Sequence, residues 1–272
     1  MGTFRWASAF LTLGSQFQSF LGAPWIRPSL RMVPSLSRRA MALRYLSMSP
    51  HYFFRTEANA HLRSKAFLQS ECERNAQSRA VIIDKIVVKY VLPEFTVLDY
   101  GCGPGFLAAA VSKRVAKVLA CDIADGVLAC AEILNAAPNI EYRIIPESGT
   151  IPVKDASVNL IYSFAVVQHV TDEVFVKILR EWRRILKPNG KVVCHVLLDD
   201  PEWKSEKEWR DDNSLKGKLK WRIALHCFKR KRRDVEERFD AAGFAVLGII
   251  PVADFNLALE DDICKQHVCV AY

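Results

Sequence analysis

The feature that most constrains the fold is a glycine-rich turn in the stretch VLDYGCGPG, residues 97–105. The apolar residues before Asp99 have the character of a short buried strand, and a helical pattern follows the last glycine. Glycine stands at 101, 103 and 105, where a Cβ atom would forbid a tight turn or the close approach of a ligand. Open α/β sheets bind ligands at the carboxyl ends of their strands. The stretch therefore predicts a strand–turn–helix unit that holds a ligand.

Short apolar segments alternate with helical stretches through most of the chain. Strands are predicted at 96–100, 117–121, 140–145, 157–164, 191–198, 245–252 and 265–272. Helices between successive strands indicate a parallel sheet that is covered on both faces. The last two strands leave no room for a helix between them, so they are expected to pair antiparallel. The sequence thus predicts an α/β fold of three layers, α/β/α, around a doubly wound, mostly parallel seven-stranded sheet with an antiparallel last strand.

The helical stretches divide the chain into regions. Helical periodicity occurs at 59–91, 105–115, 126–135, 172–186 and 234–242, and the KPNG sequence at 187–190 predicts a turn. Residues 57–272 are interpreted as one domain with an N-terminal helical cap and an insertion at 199–233. Residues 203–233 of this insertion carry twelve basic and four acidic side chains, so the insertion is strongly cationic.

Residues 1–56 differ in composition from the rest of the chain. They contain seven arginines, eight serines and no lysine or acidic residue, which is typical of a mitochondrial or plastid transit peptide. Because seven charges of the net +8 lie here, residues 57–272 retain a net charge of only +1. The segment is interpreted as a leader, either a transit peptide or a disordered extension, and a mitochondrial location is expected. If translation begins at Met41 or Met48, a cytoplasmic location is expected instead.

The cysteines and the apolar runs argue against three other classes of protein. The eight cysteines include no CxxC pair, which indicates a reduced compartment rather than a disulfide scaffold. The tail CKQHVC at 264–269 alternates like a final strand, so no metal site is predicted. No segment approaches the roughly 20 apolar residues of a transmembrane helix, so no transmembrane segment is predicted.

The acidic residue before the glycines, Asp99, indicates which kind of nucleotide ligand the loop can bind. Dinucleotide folds use the spacing GxGxxG and hold a pyrophosphate at a helix N-terminus, whereas the spacing here is GxGxG. Asp99 stands two residues before Gly101. A carboxylate directed into the loop repels a pyrophosphate and attracts an ammonium or sulfonium group. The charge therefore favours S-adenosylmethionine over NAD.

TVLDYGCGPG resembles the first motif of class I S-adenosylmethionine-dependent methyltransferases. Within this class, the chain resembles the methyltransferase type 11 family. VLACDIADGVLACA, PESGTIPVKDASVNLIY and EWRRILKPNGKV are similar to later motifs of the same family, and the similarity runs from about Arg79 to Tyr272. The resemblance implies a Rossmann-like fold and an enzyme that uses S-adenosylmethionine. Two positions depart from the family pattern: Asn159, where an acid is common, and Asn189, where glycine is common.

The resemblance also implies a set of cofactor-binding residues. Asp122, at the end of the second strand, is expected to accept hydrogen bonds from both ribose hydroxyls, and Ile123 is expected to lie against the adenine. Glu147 and Ser148 match the adenine-edge positions of the family. The implied set is Asp99, Gly101, Cys102, Gly103, Gly105, Asp122, Ile123, Glu147, Ser148 and Phe164.

The loop after the fourth strand, residues 163–170, is expected to face the transferred methyl group. Its His169 is the candidate catalytic residue, since histidine exchanges protons near neutral pH and can act as a general base. A base is required only if the acceptor must lose a proton. The alternative is that His169 packs the loop against the next helix.

Together these features predict an S-adenosylmethionine-dependent methyltransferase that modifies an oxygen, nitrogen or carbon atom of a small molecule. Aromatic residues interleave with the basic residues of the insertion, which suits an anionic or lipophilic acceptor, a peripheral contact with a membrane surface, or RNA. Two alternatives stay open. One is an RNA or protein methyltransferase that docks through residues 203–233, and the other is a non-catalytic cofactor-binding assembly factor.

Overall fold

The structure, a computed structural model, describes residues 25–48, 63–222, 226–257 and 266–272. Its strands are β1 (Thr96–Tyr100), β2 (Lys117–Asp122), β3 (Ile140–Ile144), β4 (Val158–Ser163), β5 (Leu186–Val196), β6 (Val246–Pro251) and β7 (His267–Ala271). Its α-helices are α1 (Ile26–Met32), α2 (Ser35–Ser47), α3 (Lys65–Ile82), α4 (Phe106–Val111), α5 (Asp125–Leu134), α6 (Asp172–Ile185), α7 (Glu206–Arg210), α8 (Leu215–Arg222) and α9 (Arg232–Ala241). A π-helical turn, Ile83–Val87, and a 3-10 turn, Val88–Tyr90, continue α3.

The seven strands form one sheet in the order β3-β2-β1-β4-β5-β7-β6. Strands β1 to β5 run parallel, and β7 pairs antiparallel with both β5 and β6. The prediction of a mostly parallel seven-stranded sheet with an antiparallel last strand is therefore confirmed. The strand order reverses between β1 and β4, and open α/β sheets bind ligands at the carboxyl ends of the strands beside such a switch point.

Alternate residues of each central strand enter different cores. In β1, Leu98 packs in the core that includes Trp182 of α6, and Val97 packs in the core on the opposite face, with Ile86. Successive side chains of a strand point to opposite faces, so both faces of the sheet are buried, as in other parallel sheets. The three-layer prediction is thus confirmed.

The KPNG sequence lies inside β5 instead of preceding it. Leu186 already pairs with Val158, and the pairing resumes with Lys191 opposite Leu160. The residues between these pairs form a bulge, in which Asn189 adopts a φ of 64°. Asparagine is one of the few residue types that tolerate this left-handed conformation. The predicted start of the strand at residue 191 is therefore wrong, because the strand begins before the bulge.

Two helices from the segment interpreted as a leader pack on the domain. Apolar side chains of α1 and α2 share a buried cluster with Leu68 of α3 and Val127 of α5. Arg27 of α1 also forms ion pairs with Asp125 at 2.8 Å and with Glu132 at 2.7 Å, both on α5. These contacts make α1 and α2 a layer over α5.

This packing differs from the expected disordered leader over residues 25–48. Residues 1–24 and 49–56 lie outside the described part of the chain, and targeting stays a prediction. The insertion at 199–233 contains α7 and α8, and its residues 223–225 are also outside the described part, as is Cys264 of the tail. Among the described helices, none has the length and apolar content needed to cross a membrane.

Candidate functional site

The glycines between β1 and α4 adopt left-handed backbone conformations. Their φ angles are 71° at Gly101, 52° at Gly103 and 80° at Gly105. A Cβ atom on Gly101 would lie 2.4 Å from Cγ2 of Val166, and one on Gly105 would lie 2.3 Å from Oη of Tyr142. At these two positions, therefore, side chains of the protein leave no room for a Cβ atom, whether or not a ligand is bound. The glycine loop is held between β3 and the loop that follows β4.

Hydrogen bonds fix the glycine loop against the end of β2. The amides of Gly101 and Cys102 donate to the carbonyl oxygen of Cys121 at 2.8 and 3.0 Å. The amide of Gly103 donates to Oδ2 of Asp122 at 2.9 Å. The side chain of Cys102 is buried, so this residue contributes packing and its amide. The end of β2 therefore determines the position of the loop.

Asp122 joins the glycine loop to the turn before α5. Its Oδ2 accepts the Gly103 amide, and its Oδ1 accepts the Ala124 amide at 3.0 Å. Burial raises the pKa of this carboxyl, and its backbone hydrogen bonds oppose the rise. Each oxygen of a carboxylate can accept more than one hydrogen bond, so Asp122 keeps acceptor capacity for a pair of hydroxyls. Ile123 beside it is 40% exposed, which presents an apolar surface next to the carboxylate.

Asp99 lies on β1 and is 1% exposed. No hydrogen bond of standard geometry joins either carboxylate oxygen to the described residues, although the hydroxyl of Tyr162, its neighbour in register on β4, lies close enough to lower the pKa of Asp99 in part. Burial raises the pKa of Asp99 to about 8, because a desolvated carboxylate is unfavourable. A nearby cation would stabilise the charged form. Asp99 is thus a buried acid suited to a positively charged ligand.

Glu147 and Ser148 lie on an exposed turn after β3. The turn is tied to the site through Ile145, whose amide donates to the carbonyl oxygen of Asp122 at 2.8 Å. Within the turn, the Thr150 amide donates to Oγ of Ser148 at 3.3 Å. The structure therefore places both residues on the edge that carries Asp122, with exposed side chains.

Phe164, just after β4, is buried and stacks on His195 of β5, with ring centroids 5.9 Å apart. The Nδ1 atom of His195 accepts the amide of Ala165 at 3.2 Å, and Ala165 has a φ of 59°. Because Nδ1 accepts, the proton of the neutral ring lies on Nε2. His195 thereby supports a strained residue of the loop after β4. His195 was not predicted as a functional residue, although a polar residue near the carboxyl end of a buried strand is a usable signal.

His169 lies in the 3-10 turn Val167–His169 and is half-buried. Its Nδ1 is 2.9 Å from the carbonyl oxygen of His226, and since a carbonyl only accepts, Nδ1 carries the proton and donates. Nε2 is then the basic nitrogen of the neutral ring. Sγ of Cys227 lies 3.5 Å from Nδ1. His169 therefore packs the loop against the insertion, and the same contact selects the tautomer that a base acting through Nε2 requires.

The segment 226–230 of the insertion lies along the loop after β4. The Phe228 amide donates to the carbonyl oxygen of Gln168 at 2.6 Å. Nε1 of Trp209, on α7, donates to the carbonyl oxygen of Cys227 at 2.8 Å. The insertion is thus a packed part of the site, and its buried end covers the turn that carries His169.

Arg230 is the strongest link between the insertion and this loop. Its guanidinium donates to the carbonyl oxygens of Val167 at 2.9 Å and Val170 at 2.7 Å. It also pairs with Asp172, in the first turn of α6, at 2.8 Å, and lies over the ring of Phe175. A planar guanidinium has enough donors for all three acceptors at once. In the sequence Arg230 is one member of a basic run, and this role was not predicted for it.

Three other side chains of the basic run KRKRR at 229–233 also make contacts within the chain. Lys229 lies 3.7 Å from Glu208, Arg232 donates to a carbonyl of β6 at 3.1 Å, and Arg233 pairs with Glu237 at 2.6 Å. The run therefore contributes less open positive surface than its composition suggested.

Known sequences resemble the central part of this chain. Residues 98–194 match the family described as "Methyltransferase domain". A ubiquinone biosynthesis O-methyltransferase of Xanthomonas campestris pv. campestris is 28% identical over 123 residues, which are 44% of this chain and 51% of that protein. The protein of the same name from Pseudomonas fluorescens is 30% identical over 108 residues, which are 39% and 46% of the two chains. This chain thus spans about half the length of the curated relatives that it matches.

Solved structures share the fold. An S-adenosylmethionine-dependent methyltransferase from Mesorhizobium loti aligns over 72% of this chain and 99% of its own, with a TM-score of 0.53 and 18% identity. Phosphoethanolamine N-methyltransferase 1 of Haemonchus contortus, in complex with phosphoethanolamine and S-adenosylhomocysteine, aligns over 75% of this chain and 43% of its own, with a TM-score of 0.55 and 17% identity. The matched domain and the sheet topology together identify this chain as one that carries a class I, Rossmann-like methyltransferase domain.

Proposed function

We propose that this protein transfers a methyl group from S-adenosylmethionine to an oxygen atom of a small molecule. The proposal rests mainly on Asp122 at the carboxyl end of β2, whose carboxylate accepts hydrogen bonds from the Gly103 and Ala124 amides. This arrangement fixes two acceptor oxygens beside an exposed apolar residue. The choice of oxygen is supported by the names of the curated relatives, which are O-methyltransferases.

The residues at this edge of the sheet fit S-adenosylmethionine. Asp122 would accept hydrogen bonds from the ribose diol, and Ile123 would lie against the adenine. Glu147 and Ser148 lie on the same edge. The buried carboxyl of Asp99, whose oxygens form no hydrogen bond of standard geometry with the described residues, suits the positively charged end of the ligand. When bound, S-adenosylmethionine supplies an electrophilic methyl group on a sulfonium.

This chain's own residues would align the acceptor, exclude water and take up a proton. Positive charge disperses during methyl transfer, so alignment and a dry pocket are the main requirements. Phe164 is buried at the end of β4, and Arg230 holds the loop after it in place. A hydroxyl acceptor must lose its proton, and Nε2 of His169 is the candidate base.

An RNA or protein acceptor is the second candidate, and the exposed lysines of α8 favour it. The intramolecular contacts of Arg230 and Arg232 weaken it, because these two side chains already donate to acceptors of the protein. A polyanionic acceptor would give binding that weakens steeply with salt. A non-catalytic assembly factor would bind the ligand without any turnover.

Titration calorimetry with S-adenosylhomocysteine tests the cofactor, with NAD as the control ligand. We expect binding of S-adenosylhomocysteine only, and a Kd at least about tenfold weaker in Asp122→Asn, which loses one acceptor. Asp240→Asn, an exposed substitution outside the site, is the matched control and should bind normally. No binding by the folded protein would contradict the proposal.

Methyl transfer is tested with S-adenosylmethionine labelled in its methyl group and a panel of phenols, amines and RNA. We expect label in phenolic products. Transfer to amines or RNA alone would contradict the choice of oxygen, whereas ligand binding without any transfer would favour the assembly factor.

A further inference from the structure

The outer face of α8 takes no part in the site described above. Leu215 and Leu219 are 89% and 53% exposed. Residues four apart lie on the same face of a helix, so these two leucines form one apolar stripe of adjacent side chains. Isolated exposed leucines are ordinary, whereas a paired stripe on a cationic helix needs an explanation.

Basic residues flank this stripe on both sides. Successive residues of an α-helix are rotated by about 100°, which places Lys216 and Lys220 on one side of the leucines and Lys218 on the other. Lys216 and Lys218 are exposed, and Lys220 is half-buried. No acidic residue occurs anywhere from 213 to 233. The stripe is therefore an apolar strip within a positively charged surface.

The opposite side of α8 is anchored to the protein. Gly217 is buried, and a Cβ on it would lie 2.1 Å from Oδ2 of Asp212. Trp221 stacks on the ring of His226, with centroids 4.7 Å apart. Because these contacts fix the inner face, the leucines are held outward. The stripe is thus a fixed feature of the surface.

We propose that α8 docks this protein on an anionic lipid surface. Leu215 and Leu219 enter the boundary between headgroups and acyl chains, and the flanking lysines extend their charged ends to the lipid phosphates, as amphipathic interfacial helices do. Charge complementarity selects this partner. Lysines on both sides would repel the same helix of a second copy, and binding to nucleic acid phosphates gives no role to exposed leucines.

Because α8 has only about two turns, it would bury little apolar area in a membrane. Binding therefore requires both the apolar contact of the leucines and the attraction of the lysines to lipid phosphates. Neutral vesicles offer only the apolar contact, and soluble polyanions offer only the charge. We therefore expect the protein to distinguish phosphatidylglycerol-containing vesicles from phosphatidylcholine vesicles. The proposal concerns this surface alone and does not depend on methyl transfer.

Vesicle co-sedimentation of the full chain tests the proposal. We expect at least about tenfold stronger partition on vesicles of phosphatidylcholine and phosphatidylglycerol (3:1) than on phosphatidylcholine alone. The variant Leu215→Ser/Leu219→Ser should lose most of this partition at unchanged net charge. The matched control is Met32→Ser/Leu36→Ser, which changes residues that are 85% and 94% exposed on α1 and α2. This control should bind as the wild type does.

A charge variant tests the second component. Lys216→Gln/Lys218→Gln should weaken the partition and make it less sensitive to salt. Equal partition on both vesicle types, or equal losses in the serine variant and its control, would overturn the proposal. A concentration-dependent dimer that the serine variant abolishes would also overturn it, in favour of a second copy, as would salt-dependent RNA binding without vesicle binding. If the double serine variant does not fold, Leu215→Ser alone provides the same comparison.

Discussion

At the scale of single residues, Asp99 combines a destabilising environment with a position suited to a cation. Burial raises its pKa from the ordinary 3.8 to about 8, so the folded protein holds a proton that the unfolded chain releases. The free energy of unfolding therefore falls as pH rises from about 4 to 8. We expect Asp99→Asn to remove this fall and to gain at least about 1 kcal/mol over the wild type between pH 5 and pH 8. Urea unfolding at several pH values measures the difference.

Asp240→Asn, exposed on α9, is the control for this experiment and should follow the wild-type profile. Asp99→Asn should also weaken S-adenosylhomocysteine binding, because the ligand's ammonium group loses a negative partner. Parallel stability profiles for the wild type and Asp99→Asn would mean that Asp99 has an ordinary pKa in the folded protein, contrary to this expectation.

His169 allows a test that separates proton transfer from packing. His169→Gln keeps an amide that can donate to the His226 carbonyl but has no basic nitrogen. If Nε2 is the base, kcat should fall by roughly 10²–10⁴, with the Kd of S-adenosylhomocysteine unchanged. The pH–rate profile should also lose its acidic limb. A fall in kcat of less than about tenfold together with a lower Tm would instead assign His169 to packing.

At the scale of elements, the insertion and the loop after β4 form one unit because Arg230 connects them. Arg230→Lys keeps the charge, but a single ammonium nitrogen cannot reach the three acceptors that Nε, Nη1 and Nη2 of the guanidinium contact separately. We expect a loss of about 2 kcal/mol in the free energy of unfolding, since the carbonyls of Val167 and Val170 lose buried donors. Denaturant unfolding measures this loss, and hydrogen exchange should show faster exchange within 167–170.

Arg233→Lys is the matched control for this substitution. Arg233 is exposed and pairs only with Glu237 on its own helix among the contacts described, so replacement should cost less than about 0.5 kcal/mol. Equal effects of the two substitutions would contradict the role assigned to Arg230. Unchanged exchange in 167–170 would show that other contacts hold the loop.

The strands and most helices could be predicted from the sequence because their signals are local. The glycine spacing and the apolar run before Asp99 predicted β1 and the turn after it, and Asp122 follows at the distance of one helix. The contacts of Arg230 with Val167 and of His169 with His226 join residues about 60 positions apart, and no local pattern contains them. The KPNG sequence has turn composition, but pairing of the residues before it with β4 placed it inside a strand.

At the scale of the whole molecule, the composition of the N-terminal segment did not predict that residues 25–48 pack on the domain. Arginine and serine without acidic residues are typical of targeting peptides, yet they also suit a surface layer over an acidic helix. Arg27 pairs with Asp125 and Glu132 of α5, and the apolar faces of α1 and α2 close a core cluster. Composition gives only the numbers of each residue type, whereas packing depends on the spacing of the apolar residues along the helix.

The N-terminal layer of α1 and α2 is expected to be essential for the stability of the domain. The test compares the solubility and Tm of two chains, residues 25–272 and residues 48–272, which differ by α1 and α2. Ile26, Leu30, Leu43 and Leu46 are buried, and burial of each such side chain contributes about 1.5–3 kcal/mol. Their sum is comparable with the total stability of a domain. We therefore expect the shorter chain to be insoluble or to have a Tm lower by more than about 10 °C.

A milder pair of substitutions tests the same layer in the full chain. Leu43→Ala should cost about 2–5 kcal/mol by leaving a cavity, whereas Leu36→Ala, at an exposed position of α2, should cost less than about 0.5 kcal/mol. Urea unfolding measures both. If Leu43→Ala and the shorter chain are as stable as their controls, α1 and α2 are dispensable and residues 1–47 are a leader. If both are destabilised, any cleavage of a transit peptide that preserves the fold must occur before α1.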